Sequence, residues 1–408
     1  MSAPACRFCA APLQRTFCDL GMSPLSNAFI KPAAAQSMEP FYPLHTYVCE
    51  NCFLVQLEQF ETPAEIFSDY VYFSSYSDTW LAYARGFAAT AIRDFGLTAQ
   101  SLVVEAASND GYLLQYFRQA GIPVLGIEPA QNVAAAAIAK GIPTVCEFLG
   151  AASGRKLAAA GQLADMVVGN NVFAHVPDLN DFTAGLSSIL KPAGVLTLEF
   201  PHLLQLMQNN QFDTIYHEHF SYFSFATAVR VLQEHALVVF DVEELPTHGG
   251  SLRVYATKNV SREPASRVHE LLAREQAAGL HKPATYSSFA EQVKATKRAL
   301  LHFLLDARDQ SKSIVGYGAP AKANTLLNYC GIRTDIIEFT VDRNPHKQGL
   351  LLPGTRIPVL HPDKIFERKP DYVLILPWNL KDEIIDQMRA IREWGGQFVV
   401  PIPQPVVC

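Results

Sequence analysis

SLVVEAASNDGYLL, Ser101 to Leu114, passes from an apolar, β-branched run through a turn of small and polar residues into the start of a helix. Strand, tight turn and helix in that order open a parallel α/β sheet, and small turn residues let a ligand approach the backbone. The unit then recurs. VLGIEP, an alanine-rich helix, ADMVVGNNV, a helix near 179–190 and GVLTLEF alternate short apolar runs with helical ones. That succession predicts a mainly parallel sheet with crossover helices. LVVFDVEEL and SLRVYATK follow with a short loop between them, so an antiparallel pair is expected at one edge.

Working outward, residues from about Ser261 to Ala307 are helical and charged, and SIVGYGAPAKANTLL opens a second βα series that ends in GQFVVPIP. On the other side, CRFC (Cys6, Cys9) and CENC (Cys49, Cys52) are two CxxC knuckles around a proline-rich segment. This is the spacing with which a structural Zn2+ site gathers four thiolates. Four sulfurs fill a tetrahedral sphere, so the metal is expected to hold a small domain together rather than activate water. Cys18 stands outside the pattern. The expected organisation is a zinc-binding domain at 1–68, a core at 69–285 and a Rossmann-like domain at 286–408.

With 408 residues, 49% hydrophobic and 11% aromatic, the chain can build large cores. A net charge of −6 and no basic block oppose a nucleic-acid partner and favour small molecules. MSAPACRFCAAP has no apolar signal core, and no apolar run approaches the ~18–20 residues of a membrane span, so a cytoplasmic protein without membrane contact is expected.

Glu105 and Glu128 end neighbouring strands. Two carboxylates there favour a cationic or neutral ligand over a pyrophosphate, for which the turn would read GxGxxG. S-adenosylmethionine meets that demand: a sulfonium, an ammonium and a ribose, with no phosphate. NNVFAHVPDL (Asn170–Leu179) follows the fourth strand at the same edge, and places His175 there as a catalytic or substrate-orienting candidate. A histidine simply bonded within its loop is the plain alternative.

DTIYHEHFSYFS, Asp213 to Ser224, is open to three readings. A metal site is disfavoured, because HEHFS has Ser221 where HExxH needs its second histidine. Packing accounts for Phe220, Phe223 and Phe225, but Tyr216, Glu218 and His219 are too polar to bury without partners. An acid/base site remains. Histidine accepts a proton near neutrality. A carboxylate can orient the imidazole, and a tyrosine hydroxyl can meet an oxygen on which charge develops.

SIVGYGAPAKAN places Gly316, Gly318 and Ala321 in a GxGxxA arrangement, with Asp342 ending the next strand. Alone, this is a dinucleotide fingerprint. A helix N-terminus with Lys322 nearby is equally suited to a sugar-linked diphosphate. Two alternatives therefore stand: an NAD-dependent nucleotide-sugar oxidoreductase, and a zinc-knuckle nucleic-acid adaptor, the latter opposed by the acidic balance.

CRFC, CENC, YVYFSSYS, SNDG, YHEHFSYFS, HGGSLRVY, GYGAPAKANTLLNYCGI and DRNPHKQGLLLPGTRIPV occur in that order along essentially the whole chain. In this the chain resembles the sugar C-methyltransferases that act on nucleotide-linked 4-keto deoxysugars. The resemblance implies an α/β fold: a class I methyltransferase (Rossmann-like) core between an N-terminal four-cysteine zinc-binding domain and a C-terminal Rossmann-like domain. It implies S-adenosylmethionine and structural Zn2+ as cofactors, and a nucleoside-diphosphate (dTDP) 4-keto-6-deoxysugar substrate, deprotonated beside the ketone at C3 and methylated as the enolate.

It further implies His219 as base, Tyr216 supporting the enolate and Glu218 orienting the site, with Tyr76 and His175 closing over the ligands; base and orienter remain exchangeable between His219 and His175. For the cofactor it points to Glu105, Ser108, Asn109, Asp110, Glu128, Asn170, Asn171 and Phe148. For the substrate it points to His248, Gly249, Gly250, Arg253, Gly318, Lys322, Arg343 and Lys347. The family resembles E-x-G-S-N-D-G where this chain has Ala107 for the glycine, a methyl group added near the cofactor's amino-acid end. Three packed domains are compatible with a monomer.

Overall fold

The computed structural model describes residues 4–62, 73–76 and 78–408. Asp69–Tyr72 and Ser77 of the tyrosine-rich stretch lie outside the described residues, as does the expected boundary after residue 68.

Among the described residues the central sheet has seven strands in the spatial order Val238–Leu245, Ser251–Thr257, Leu190–Pro201, Ala164–Asn170, Val103–Ala106, Val124–Ile127, Thr144–Val145. The last five run parallel, and the first two form the expected antiparallel pair at one edge. Val103–Ala106 is buried along its whole length, as a parallel strand covered on both faces must be. On one side it pairs with the strand that follows it and on the other with Ala164–Asn170, so the sheet's topological switch point lies at its carboxyl end. The helix that follows this turn begins at Leu114. Ala107, Asn109 and Gly111 have φ of 55, 49 and 76°, which prolongs the turn before the helix can start.

A four-stranded sheet gathers Arg15–Ser23, Tyr42–Val48 and Val55–Leu57, then takes its last strand, Ser221–Tyr222, from the end of the histidine-rich stretch. A six-stranded sheet occupies the C-terminal part in the order Val359–Leu360, Thr340–Val341, Ile314–Tyr317, Tyr372–Ile375, Gln397–Val400, Val406–Val407, parallel except for the last. Its own switch point lies between Ile314–Tyr317 and Tyr372–Ile375.

The three sheets do not keep separate interiors. Phe17, Leu44 and Val55 of the first share one apolar cluster with Phe212 and Ile215 and with Leu326, Ile357 and Leu376 of the third. Phe17 stacks on Phe289 of the long helix Phe289–Asp309, centroids 4.6 Å apart and planes within 7°. A second cluster joins Leu13 and Leu54 beside the cysteine knuckles to the central sheet. The histidine-rich stretch is therefore gripped by apolar packing from all three parts. Among the described residues, no helix is long and apolar enough to cross a membrane.

Candidate active site

The stretch Asp213–Ser224 is threaded between elements rather than laid on a surface. Val55 pairs with Tyr222 and Gln56 with Ser221. The Phe220 amide donates to the Ala174 carbonyl at 2.8 Å, beside His175. His217 and His219 turn to different neighbours: His217 Nε2 donates to the Pro43 carbonyl at 3.2 Å, between the rings of Tyr42 and Phe60.

His219 is buried, and both ring nitrogens are engaged. Nδ1 lies 2.9 Å from the Thr214 carbonyl, which can only accept, so Nδ1 carries the proton. Nε2 is then the acceptor, 2.9 Å from the Tyr216 hydroxyl. Burial, with the nearby His175, pushes the His219 pKa well below the usual histidine range and keeps the ring neutral. His175 meets it edge-on, centroids 4.6 Å apart. The His175 ring bonds the Glu218 backbone carbonyl, and burial pushes its pKa down to about 4. The result is two neutral imidazoles and a phenol, with one imidazole lone pair directed at a hydroxyl.

Glu218 does not orient His219, the place a base-supporting carboxylate was expected to fill. Its carboxyl accepts from Asn27 Nδ2 at 2.6 Å and faces Lys347, while the Thr214 carbonyl holds the imidazole. Burial pushes the Glu218 carboxyl up to about 7.

The third sheet's switch point is turned onto this stretch. Trp378, three residues past Tyr372–Ile375, donates its indole N–H to the buried Asp213 carboxyl at 2.7 Å. Lys322 lies over the same indole, Nζ 4.3 Å from the ring centroid, and donates to Asn379 at 2.8 Å. Its positive charge acts on Asp213, His219 and His248. Gly249 lies against Trp378, and a Cβ there would fall 2.5 Å from the indole. Lys347 donates to the Ala319 carbonyl at 2.9 Å. His248 lies 5.8 Å from the Trp80 ring, and Tyr76 stacks loosely on His346 at 6.3 Å.

At the carboxyl edge of the central sheet, Glu128 accepts from the amides of Asn109 and Ala130, both at 2.9 Å, and is fixed at its strand end. Glu105 is buried beside Tyr112, and desolvation raises its pKa well above the carboxylate range. Asp110 is already paired with Lys140 at 2.7 Å and with the Ser75 hydroxyl. Among the described residues, Ser108 Oγ, Asp110 Oδ1 and Asn170 Oδ1 are buried there without hydrogen-bond partners. Oxygens left unpaired at a switch point suit a ligand rich in N–H and positive charge. Asn171 gives its amide to the Glu199 carbonyl at 2.8 Å, and Phe148 is half exposed.

Several predicted contacts are otherwise engaged. Arg253 is buried in an ion pair with Glu199 at 3.0 Å and Glu243 at 3.4 Å, stacked on Phe87 at 4.2 Å, so it serves the sheet rather than a free anion. Arg343 is exposed and paired with Glu383 at 3.7 Å. Asp342, the acid of the GxGxxA reading, accepts the Ala319 and Asn344 amides at 2.7 and 2.8 Å. Gly318 is explained by packing: a Cβ would lie 2.5 Å from Pro377. Sequence reasoning passed over Asp213, Thr214, Asn27 and Trp378. Trp378 alone had a usable signal, its place just beyond the carboxyl end of a parallel strand.

Beside the first sheet the two knuckles repeat one geometry: Ala10 N bonds Cys6 O and Phe53 N bonds Cys49 O, each at 2.9 Å. The four sulfurs of Cys6, Cys9, Cys49 and Cys52 lie within 4.8 Å of one another. Four convergent thiols fit tetrahedral zinc and leave no open coordination position.

Three family models match successive stretches of the chain. Residues 6–67 match a zinc binding domain, 80–240 a methyltransferase domain and 246–403 the C-methyltransferase C-terminal domain. The chain is 37% identical over 406 residues to the C-methyltransferase NovU of Streptomyces niveus, covering 98% of this chain and 96% of that protein. Similar solved structures include the PH0226 protein of Pyrococcus horikoshii OT3, 14% identical, covering 48% of this chain and 99% of that one at a TM-score of 0.38. Another is the magnesium protoporphyrin IX methyltransferase of Synechocystis PCC 6803 with bound SAM, 17% identical, covering 44% and 79% at 0.34. Likenesses this loose carry nothing about substrate.

Proposed function

Since the chain belongs to the C-methyltransferase family, we propose that it transfers a methyl group from S-adenosylmethionine to C3 of a nucleoside-diphosphate 4-keto-6-deoxysugar, dTDP being the favoured nucleotide. One observation carries the reading: buried His219 is held neutral in a single tautomer, with its free lone pair directed at the Tyr216 hydroxyl.

A carbon beside a ketone becomes a nucleophile when it loses a proton. In this reading His219 Nε2 takes that proton, which a neutral imidazole can do across the neutral range. The Tyr216 hydroxyl exchanges Nε2 for the ketone oxygen and donates to it as charge develops, a role often worth ~3–4 kcal/mol per donor. Lys322 adds positive charge on the same side. Bound S-adenosylmethionine supplies an electrophilic methyl group on a sulfonium. The oxygens of Ser108, Asp110 and Asn170 left unpaired among the described residues, with Glu105 and Glu128 behind them, would hold it at the central switch point. His175 and Tyr76 would close the cleft, Glu218 would anchor the base's segment, and His248, Gly249, Lys322 and Lys347 would face the nucleotide sugar. In this assignment the four-thiolate zinc is structural.

The test is a panel of dTDP-, GDP- and CDP-linked 4-ketosugars with S-adenosylmethionine, read as a mass gain of one methylene. In deuterated buffer without the donor, the proton beside the ketone should exchange. Methylation at oxygen or nitrogen, with no such exchange, would overturn the reading.

A further inference from the structure

The segment bearing His219 is held from the third sheet's domain at two points that flank one residue. On one side, the Trp378 indole donates to Asp213 at 2.7 Å. On the other, the Thr325 hydroxyl donates to the Ile215 carbonyl at 2.8 Å. Between them lies Thr214, whose carbonyl takes the Nδ1 proton of His219. Asp213 is also met by its own amide, by the Thr214 amide and by the charge of Lys322. The indole itself has little room to move, with Lys322 over its face and Gly249 against its edge.

A neutral imidazole has two tautomers, and the hydrogen bond made by one nitrogen decides which nitrogen carries the proton. Were Thr214 to turn its carbonyl away, Nε2 could hold the proton, and a protonated Nε2 cannot accept another. We infer that Trp378 and Thr325 are positioning residues: through Asp213 and Ile215 they aim the Thr214 carbonyl, and so keep Nε2 of His219 unprotonated and pointed at its task. The C-terminal domain thereby acts on the proton-transfer step without touching the reacting atoms. This rests on His219 being the base.

The experiment uses full-length protein labelled with 15N-histidine, the His219 signals being assigned by their loss in His219→Gln. Wild type is expected to show Nδ1 protonated and Nε2 bare. Trp378→Phe, which keeps the ring but loses the N–H, and Thr325→Val, which is near-isosteric and the milder change, are each expected to show a mixture of tautomers. On the ketosugar that is turned over, kcat should fall roughly tenfold to a hundredfold, with KM little changed. An unaltered His219 pattern in both folded variants, or a wild-type ring protonated at Nε2, overturns the inference; a change in only one variant removes the other residue from it. The spectra need no substrate, so the two readings fail separately. Turnover retained by His219→Gln sinks the base assignment, whereas unchanged spectra beside an inactive His219→Gln sink only the positioning role.

Discussion

The side-chain amide of Asn27 donates to the Glu218 carboxyl over 2.6 Å, tying the first sheet's domain to the residue next to the proposed base. Glu218 needs that bond because its charge is costly where it lies: burial pushes its pKa up to about 7, with Asn27 and Lys347 holding it down. The folded state therefore keeps a proton that the unfolded chain gives up near its ordinary pKa of 4.5. The contribution of Glu218 to stability falls as pH rises between those values, by on the order of 3 kcal/mol. Glu218→Gln should flatten the fall in melting temperature across that window. A variant whose melting temperature drops as steeply as wild type's would remove Glu218 from the titration and leave it to Asp213, whose carboxyl burial pushes up to about 6.

Ala107 sits at φ 55°, in the left-handed region that costs a residue with a Cβ about 1–2 kcal/mol. Ala107→Gly should stabilise the fold by about 1 kcal/mol once glycine's extra unfolded-state entropy is deducted. Calorimetry checks it. An unchanged or lower melting temperature would mean that the alanine methyl finds compensating contacts.

The four convergent sulfurs should bind about one zinc per chain. Cys49→Ser should lose the metal and unfold the first sheet's domain, while His217→Ala and His219→Ala keep it. Metal analysis after dialysis decides, and zinc lost with either histidine would contradict the four-thiolate assignment.

Tyr216 and His219 share a hydrogen bond but have separate duties. His219→Ala should bind both ligands yet stop hydrogen exchange beside the ketone. Tyr216→Phe should slow exchange and turnover together by about 10²–10³-fold, the usual cost of losing one oxyanion donor, since both pass through the same enolate. Wild-type exchange in His219→Ala would transfer the base to another residue, His175 first.

Arg253 pairs with Glu199 in the interior of the central sheet. Removing one member strands the other's charge, so Arg253→Ala should cost about 3–5 kcal/mol of stability. A substrate contact would instead raise KM at unchanged stability, and denaturant titration beside steady-state kinetics tells the two apart.

Much of the architecture was legible along the chain because its signals are local. The apolar run into a small-residue turn at Ser101–Leu114, the two CxxC knuckles and the closely spaced strand pair near the core's edge each reflect chemistry within a few residues. Tyr216 and His219 were legible as a polar cluster too costly to bury idle. Glu218 was legible as part of that polar cluster but not as to its partner, and Arg253 read as a substrate contact because a lone arginine carries no mark of the acid that pairs with it.

The sequence by itself determined the class of fold, the four cysteines that converge as a candidate metal site and the segment that carries the proposed chemistry, since short-range periodicity and spacing are enough for these. Only the tertiary structure decided which way that segment faces. Asn27 reaches Glu218 across 191 residues and Trp378 reaches Asp213 across 165, and bonds of that span exist only after three sheets have packed their apolar faces together. The tautomer of His219 depends on that packing, because a carbonyl four bonds along the backbone from Asp213 can be aimed only by what the fold brings against it.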